Sequence, residues 1–260
     1  PGKLAGWFDA IGGSGTPYDD HWHGTHVAGT AAGAGTGGAQ AATYRGVAPA
    51  ANVYATKVLD STGTAGANSV EQGLEWCVAQ PGVDIISMSL GTPIGSDGLD
   101  ALSQAVNAAV AAGKIVVVAA GNSGDNSSTV GSPAAAEHAI TVGAVADWSG
   151  SVADPNHSSG VYLAPFSSRG PTRAPSSLTK PDIVGPGVTV TSAYTAGPSA
   201  YATATGTSMA APFVAGTVAL MLDADPSLTS PEVKALLEAT AHDRGPAGKD
   251  NDWGWGLLDG

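Results

Sequence analysis

Residues 206–212, Gly-Thr-Ser-Met-Ala-Ala-Pro, place a serine on a tight turn immediately before a long apolar run, residues 213–222. This pattern predicts a buried helix that starts near Ser208. The first backbone N–H groups of a helix lack partners inside the helix, and the helix dipole is positive at this end. Negative charge that develops beside Ser208 would therefore be stabilised, as a nucleophile for acyl transfer requires. A serine at a helix start is also a common N-cap, so this stretch alone leaves both interpretations open.

Two other segments carry polar side chains at the ends of regular elements. Residues 23–30, HGTHVAGT, put His23 at the start of a small-residue run that can pack closely as a helix. Residues 116–124, VVVAAGNSG, contain an apolar strand that ends at Asn122, whose amide can donate a hydrogen bond to an oxyanion. A base, an oxyanion donor and a nucleophile thus lie far apart in the chain, and the fold has to bring them together.

Short apolar runs of β type alternate with helical patterns along the chain. The β-type runs are residues 52–59, 83–90, 114–120 and 139–146, and the helical patterns are residues 69–79, 99–112, 208–222 and 231–241. Buried strands interleaved with helices predict an α/β fold, with a mainly parallel central sheet and helices on both faces. The site then belongs at the carboxyl ends of the strands. Residues 147–165, rich in Ser, Gly and Pro, are typical of a surface insertion.

The composition indicates one large acidic domain. The chain has 260 residues, of which 43% are apolar, and we find no apolar run of membrane-spanning length. Its net charge of −12, with only 10 Lys and Arg, argues against nucleic acid and anionic membranes as partners. Cys77 is the single cysteine and lies in a helical apolar pattern, so we expect a buried thiol and no internal disulfide.

Four motifs resemble those of the subtilisin family of serine proteases, peptidase family S8. Residues 23–30 are similar to the family's histidine motif, SMSLGT at 87–92 to its substrate-binding strand, AAGNSG at 119–124 to its oxyanion segment, and GTSMAAPFVAGTVAL at 206–220 to its nucleophile motif. They occur in the family's order and span most of the chain. The strings YDD at 18–20, YRGVAP at 44–49, KVL at 57–59, LEWC at 74–77 and FSSRGP at 166–171 are most similar to the AprX-like branch. The resemblance implies a three-layer subtilisin-like fold, with residues 1–260 as a single catalytic domain.

The resemblance also implies roles for individual residues. Ser208 would be the nucleophile, His23 the general base and acid, and Asn122 the side-chain oxyanion donor beside the Ser208 backbone N–H. Extended substrate would lie between residues 63–65 (Gly63, Thr64 and Ala65) and residues 89–91 (Ser89, Leu90 and Gly91). The pocket for the residue before the scissile bond would be walled by Ala119, Ala120 and Gly121. Such small residues suggest a roomy apolar pocket and broad specificity.

One element of the family pattern is not found. The family carries an Asp-Thr-Gly or Asp-Ser-Gly motif about thirty residues before its catalytic histidine, and the aspartate orients the imidazole. Only 22 residues precede His23, and residues 4–9 resemble the segment that follows the motif. We therefore expect the triad aspartate about ten positions before Pro1, in a domain trimmed at both ends. Asp19 and Asp20 lie in the YDD turn, which we interpret as a solvated turn at the edge of the cleft.

Two alternative functions remain open. The missing aspartate is compatible with a non-catalytic module that binds peptides in the same cleft. Alternatively, His21, His23 and His26 are spaced closely enough to ligate zinc in a metallohydrolase. The zinc interpretation leaves Ser208 and Asn122 without a role, so we favour the serine protease.

The resemblance implies no cofactor for the chemistry. Calcium is expected as a structural ion because subtilisins commonly bind it, although residues 33–43 contain no carboxylate and would form a poor calcium loop. The expected partners are protein or peptide substrates, together with an N-terminal propeptide or a cleaved N-terminal segment. We expect a monomer, and a secreted location is favoured.

Overall fold

Runs of Val, Ile and Ala form most of the strands, and helices alternate with them along the chain. A computed structural model describes residues 3–36, 38, 40, 42–66, 68–147, 160–197 and 199–259. The strands are β1 (Leu4–Asp9), β2 (Val53–Lys57), β3 (Ile85–Met88), β4 (Ile115–Ala119), β5 (Ile140–Asp147), β6 (Val161–Leu163), β7 (Ile183–Pro186), β8 (Val190–Ala193) and β9 (Tyr201–Ala204). The helices are α1 (His23–Ala32), α2 (Ser69–Ala79), α3 (Ala101–Ala111), α4 (Thr207–Ala224) and α5 (Ser230–Thr240).

A five-stranded sheet separates two hydrophobic cores. β3, β4, β5 and β7 are parallel, and β6 pairs antiparallel with the end of β5. Every residue of β4 is buried, and successive side chains of a strand point to opposite faces. Val116 and Val118 pack in one core with α2 and α3, whereas Val117 and Ala119 pack in the other with α4 and α5. This arrangement confirms the three-layer α/β fold.

α4 is the central helix of one layer. It contacts α1 and strands β3, β4, β5 and β7, and it carries buried small residues such as Ala210 and Ala211. We expected no apolar run of membrane-spanning length, but the 18 residues of α4 have a mean hydropathy of 1.3 and are long enough to cross a membrane. More than half of the helix is buried inside the protein, so its apolar character is explained by the core.

β1 and β2 form a second, separate parallel sheet. A cavity of about 850 Å³, which we call the intersheet cavity, lies between this sheet and the edge of the central sheet. Its lining includes residues 53–59 of β2 and the segment after it, and residues 85–90 of β3 and the segment after it. Val27, Ala28 and Ala31 of α1 line it as well, as do Val70, Leu74 and Cys77 of α2.

A buried cluster of charges joins the start of β7 to the C-terminal part of the chain. The carboxylate of Asp182 accepts hydrogen bonds from the Nζ atoms of Lys180 at 2.7 Å and Lys249 at 2.8 Å, and the Nζ atom of Lys234 lies 3.1 Å away. The backbone N–H of Thr141 in β5 donates to the same carboxylate at 2.8 Å. Asp182 is therefore the anionic centre that connects the sheet, α5 and the segment after α5.

The predicted elements agree with the structure in type, and their ends differ by a few residues. The helix predicted at 69–79 is found at those residues, and the four predicted strands are each found, with ends that differ by one or two residues. The short strands β1, β6, β7, β8 and β9 were not predicted, because runs of three to six residues with little alternation give no clear signal. Most of the insertion predicted at 147–165 lies outside the described residues.

Candidate active site

Ser208 is the second residue of α4, as its position before the apolar run predicts. Its backbone N–H therefore has no acceptor within the helix, and it lies at the positive end of the helix dipole. The hydroxyl Oγ of Ser208 donates a long hydrogen bond of 3.4 Å to the carbonyl oxygen of Ser89, the residue that follows β3. The serine is thus held at the carboxyl edge of the central sheet.

Pro212 explains how the start of α4 is attached to β3. Proline has no N–H, so Pro212 cannot donate to the carbonyl four residues earlier, which is that of Ser208. The hydroxyl of Ser89 donates to this free carbonyl oxygen at 2.8 Å. The proline of the opening stretch therefore frees an acceptor that anchors the turn bearing Ser208 to the segment after β3. The sequence alone does not indicate this role of Pro212.

Asn122 follows β4 and is oriented by the same turn. Its amide oxygen Oδ1 accepts hydrogen bonds from the backbone N–H of Thr207 at 2.9 Å and from the Thr207 hydroxyl at 3.0 Å. The backbone N–H of Gly121 donates to the same hydroxyl at 3.2 Å. With its oxygen engaged, the amide of Asn122 has its NH₂ group available as a donor. Thr207 thus fixes this orientation, a role that the sequence alone does not indicate.

The segment Ala119-Ala120-Gly121 borders the site mainly through its backbone, because its side chains are small or absent. Both alanines are buried, whereas Gly121 is half-buried. Gly121 has a φ of +110°, and a Cβ at this position would lie 2.8 Å from the hydroxyl of Ser168. A side chain here would therefore be strained and would collide with its neighbour. Glycine is the residue that this wall requires.

His23 is the first residue of α1 and is half-buried. Its ring lies 5.7 Å from the ring of Trp22 and 6.4 Å from that of His21, measured between centroids. Burial, and then the charges of His21 and His26, lower the pKa of His23, while the charge of Asp19 opposes them. The imidazole is therefore neutral at neutral pH, as a general base must be. Among the described residues, no hydrogen bond joins this ring to Ser208 or to a carboxylate.

Asp9 is engaged elsewhere. It accepts hydrogen bonds from the backbone N–H groups of Ile11, Gly12 and Ser14 and from the hydroxyl of Tyr18. Burial would raise the pKa of Asp9, but these hydrogen bonds outweigh it and lower the pKa to about 2. Asp9 therefore orders the turn after β1 and is not directed at the imidazole of His23.

The two carboxylates of the YDD turn also have partners of their own. Asp19 accepts hydrogen bonds from the backbone N–H groups of His21 and Trp22 and from both the N–H and the hydroxyl of Thr25. It thereby caps the start of α1. Asp20 is exposed and forms an ion pair of 2.6 Å with Lys57. Neither takes the place of an aspartate that orients the imidazole.

The two segments predicted to hold substrate both follow strands. Residues 89–91 come directly after β3, and Ser89 contacts Ser208 as described above. Residues 63–65 end a turn in which Leu59 bridges Ala65, and Gly63 has a φ of +78°. A Cβ at Gly63 would lie 3.5 Å from Nε2 of His21, so this turn lies beside the histidines. The fold therefore brings residues 89–91 to Ser208 and residues 63–65 to His21.

Trp22 is a residue of this site that the sequence did not reveal. Its φ of +85° is in a region that bulky residues rarely adopt. Its ring stacks on His21, with centroids 5.7 Å apart, and lies 5.8 Å from the ring of Tyr194. The aromatic contacts hold the residue before His23 in a conformation that would suit glycine better.

The zinc and calcium interpretations receive no support from the described residues. Within that part of the chain, no three His, Cys, Asp or Glu side chains converge to hold a metal ion. His26 is fully buried, and its Nε2 lies 3.1 Å from the carbonyl oxygen of Ala202. The described residues thus offer no such donor set for zinc, and no chemical step is assigned to a metal.

Comparison with known proteins gives a consistent result. The sequence profile of the subtilase family, Peptidase S8, matches residues 6–256. Serine protease AprX of Bacillus subtilis (strain 168) is 40% identical over 263 residues, covering 91% of this chain and 56% of AprX. Subtilisin E of the same organism is 41% identical over 228 residues, covering 86% of this chain and 52% of subtilisin E. The chain therefore spans about half the length of these two relatives.

Solved structures show the same similarity. Sphericase matches with a TM-score of 0.79 and 32% identity, over 96% of this chain and 82% of that protein. A cold-adapted subtilisin-like serine proteinase matches with a TM-score of 0.75 and 29% identity, over 99% of this chain and 83% of that protein. The similarity thus extends over nearly the whole chain in both sequence and fold.

Proposed function

Because this chain belongs to the subtilase family, we propose that it is the larger part of a catalytic domain that hydrolyses peptide bonds through an acyl-enzyme. The observation that supports the proposal is the set of hydrogen bonds that fixes the start of α4. Thr207 holds the oxygen of Asn122 and leaves its NH₂ group free, next to the serine whose own N–H has no acceptor within the helix. Two such donors can bind the oxyanion of a tetrahedral intermediate.

The proposed mechanism uses three groups of this chain. His23 takes the proton of the Ser208 hydroxyl as the oxygen attacks the substrate carbonyl. The NH₂ group of Asn122 and the backbone N–H of Ser208 stabilise the oxyanion. His23 then gives the proton to the leaving amine as the C–N bond breaks. In the second half, His23 takes a proton from water as the water attacks the ester, and it returns this proton to the Ser208 oxygen as the ester bond breaks. The substrate lies extended between residues 63–65 and 89–91, and Gly121 borders a broad pocket for the residue before the scissile bond.

The carboxylate that completes this mechanism is proposed to come from a segment that precedes Pro1. Asp9, Asp19 and Asp20 each have other partners, so none is available to orient His23. AprX and subtilisin E are longer than this chain, which is compatible with a longer domain here. On this proposal, residues 1–260 are one domain without its triad aspartate. We further propose a monomer that is secreted and acts on proteins or peptides.

A module that binds peptides without cleaving them is the second candidate, since among the described residues no carboxylate forms a hydrogen bond or ion pair with His23. Labelling with a fluorophosphonate distinguishes the two candidates, because it requires an activated serine. Modification of Ser208 at one label per chain supports the hydrolase. An unlabelled Ser208 in the protein with its preceding segment supports the binding module instead.

Replacement of Asn122 tests the proposed oxyanion donor. We expect Asn122→Ala to lower kcat for a peptide substrate by about 10²–10³ with little change in KM, a magnitude known from subtilisin. Asn126→Ala is the matched control, since Asn126 is an exposed asparagine four residues further along the same loop. A rise in KM at constant kcat would show that Asn122 binds substrate and does not stabilise the oxyanion.

The pH dependence of serine labelling tests His23 as the base in this chain. The lowered pKa keeps the imidazole neutral in more acidic solution, so the acid limb of the labelling rate should lie below pH 6.5, the ordinary pKa of histidine. Because the charge of His21 contributes to this lowering, His21→Gln should move the limb to higher pH. If the acid limb of the labelling rate stays at the same pH in His23→Ala, a group other than His23 is responsible for it.

A further inference from the structure

Trp22 has a backbone conformation that its side chain disfavours. Its φ of +85° and ψ of −32° lie in a region that glycine adopts readily and in which a bulky residue is an outlier. Such a conformation persists where the surrounding contacts hold it in place, and it is often found at functional sites. Trp22 directly precedes His23, the proposed general base. The contacts that hold the indole are therefore also contacts of the segment that carries the base.

The indole of Trp22 packs against four aromatic rings in the described part of the chain. It stacks on His21, with ring planes 19° apart, and its centroid lies 5.8 Å from that of Tyr194. Its contacts with His23 and His26 are edge-to-face, with interplanar angles of 74° and 88° and centroid distances of 5.7 and 6.1 Å. Aromatic pairs prefer such separations and angles. The imidazole of His23 is thus packed against an indole that other rings hold in place.

The same group of rings joins α1 to the hairpin of β8 and β9. Tyr194 directly follows β8, and the carbonyl oxygen of Ala202 in β9 lies 3.1 Å from Nε2 of His26. The hairpin ends shortly before Ser208, the proposed nucleophile. Trp22 therefore lies where the segment that carries the base meets the segment that leads to the serine.

The indole approaches His23 from outside the intersheet cavity. His21 and His23 line this cavity, whereas Trp22 is not one of its lining residues. Burial is the largest cause of the lowered pKa of His23. The charges that act on this imidazole come from His21 and His26, which lower the pKa further, and from Asp19, which raises it. Removal of the indole would open this side of the imidazole to water and would raise its pKa.

We propose that Trp22 is a positioning residue, whose indole fixes the imidazole of His23 and shields it from water. The proposal rests on the proposed function for its kinetic consequence, since a misplaced base slows the attack by Ser208. A displacement of about 1 Å can lower the rate of a reaction by about 10²-fold. Glycine would adopt the same backbone conformation without strain, but it would leave the imidazole unsupported on this side. The strained backbone of Trp22 thus accompanies a role that glycine cannot fill.

Three substitutions separate the ring from the backbone conformation. Trp22→Gly and Trp22→Asn suit the left-handed conformation and remove the ring, whereas Trp22→Phe keeps an aromatic ring. The measurement is the rate of fluorophosphonate labelling of Ser208 in the full-length protein, as a function of probe concentration. We expect the maximal rate to fall by about 10–10²-fold in the first two variants, with the half-saturating concentration unchanged. Trp22→Phe should recover most of this loss.

The titration of His23 is a second readout, and it does not depend on activity. The Cε1–H signal of this histidine is assigned by its loss in His23→Gln and is followed by NMR as the pH is varied. We expect the pKa of His23 to be higher in Trp22→Gly and Trp22→Asn than in the parent protein, and to stay near the parent value in Trp22→Phe. Ser177→Gly is the matched control, because Ser177 also has a positive φ, of +51°, but is exposed and lies outside the site. It should change neither readout.

The two readouts test different parts of the proposal. An unchanged pKa of His23 in Trp22→Gly would overturn the shielding by the indole, whether or not Ser208 is labelled. A normal maximal rate in Trp22→Gly, or an equal loss in Trp22→Phe, would overturn the positioning role of the ring. So would a rise in the half-saturating concentration alone, because Trp22 would then bind the probe. If Ser208 is never labelled in the parent protein but the pKa of His23 rises in Trp22→Gly, the shielding stands and the proposed hydrolase is refuted.

Discussion

Ser208→Ala is expected to lower kcat for peptide hydrolysis by about 10⁶, with KM unchanged, in the protein whose triad has been completed by a carboxylate. This magnitude is the one known for removal of the nucleophile of subtilisin. The physical reason is that the acyl-enzyme can no longer form, while the strands that bind substrate remain in place. The measurement is steady-state hydrolysis of a chromogenic peptide, together with the stoichiometry of fluorophosphonate labelling.

Ser127→Ala is a suitable control for this experiment, since Ser127 is exposed and lies outside the site. It should leave both kcat and labelling unchanged. Two results would be incompatible with the mechanism. One is residual activity of Ser208→Ala within tenfold of the parent protein, and the other is stoichiometric labelling of that variant. Either would mean that another residue is the nucleophile.

Asp182→Asn is expected to give the largest loss of stability, about 3–5 kcal/mol in the free energy of unfolding at pH 7. Burial alone would raise the pKa of Asp182, but the charges of Lys180, Lys234 and Lys249 hold it well below its usual value. Its stabilising contribution is thus complete above the carboxyl pKa of the unfolded chain and is lost as the pH falls. Burial lowers the pKa of Lys180 to about 7 and the charge of Asp182 opposes this, so removal of the carboxylate leaves a buried amine that keeps its proton only at a cost.

The comparison for this prediction is Asp252→Asn. Asp252 forms an ion pair of 3.5 Å with Arg169, but it is 46% exposed, so its loss should change the free energy of unfolding by less than about 1 kcal/mol. Urea unfolding at pH 7 measures both variants. Equal and small effects would show that the cluster around Asp182 contributes little, and that solvent or neighbouring groups compensate its charges.

The layered architecture could be predicted because several of its helices and strands have clear hydrophobic patterns. β4 is a continuous apolar strand, and α2 has a clear helical period, so both were found near their true positions. Strands β8 and β9 could not be predicted, because four-residue runs containing Ser, Thr and Ala carry no distinctive pattern. They are strands because each pairs with the other, an interaction that the local sequence does not express.

The residues of the candidate site were predicted individually, but not their supports. Ser208, His23 and Asn122 lie at the ends of elements, where polar side chains are conspicuous against apolar neighbours. The anchoring of Ser208 through Pro212 and Ser89 depends on two segments that are 119 residues apart. Neither local composition nor spacing indicates such a contact. The sequence likewise does not indicate that β1 and β2 form a sheet separate from the central one.

The intersheet cavity has a consequence for the volume of the protein. It is a space of about 850 Å³ that water-sized molecules can enter. Hydrostatic pressure favours unfolding through voids that exclude water, so a space that water enters adds little to the volume change of unfolding. Despite its size, the cavity should therefore leave the chain with an ordinary resistance to pressure.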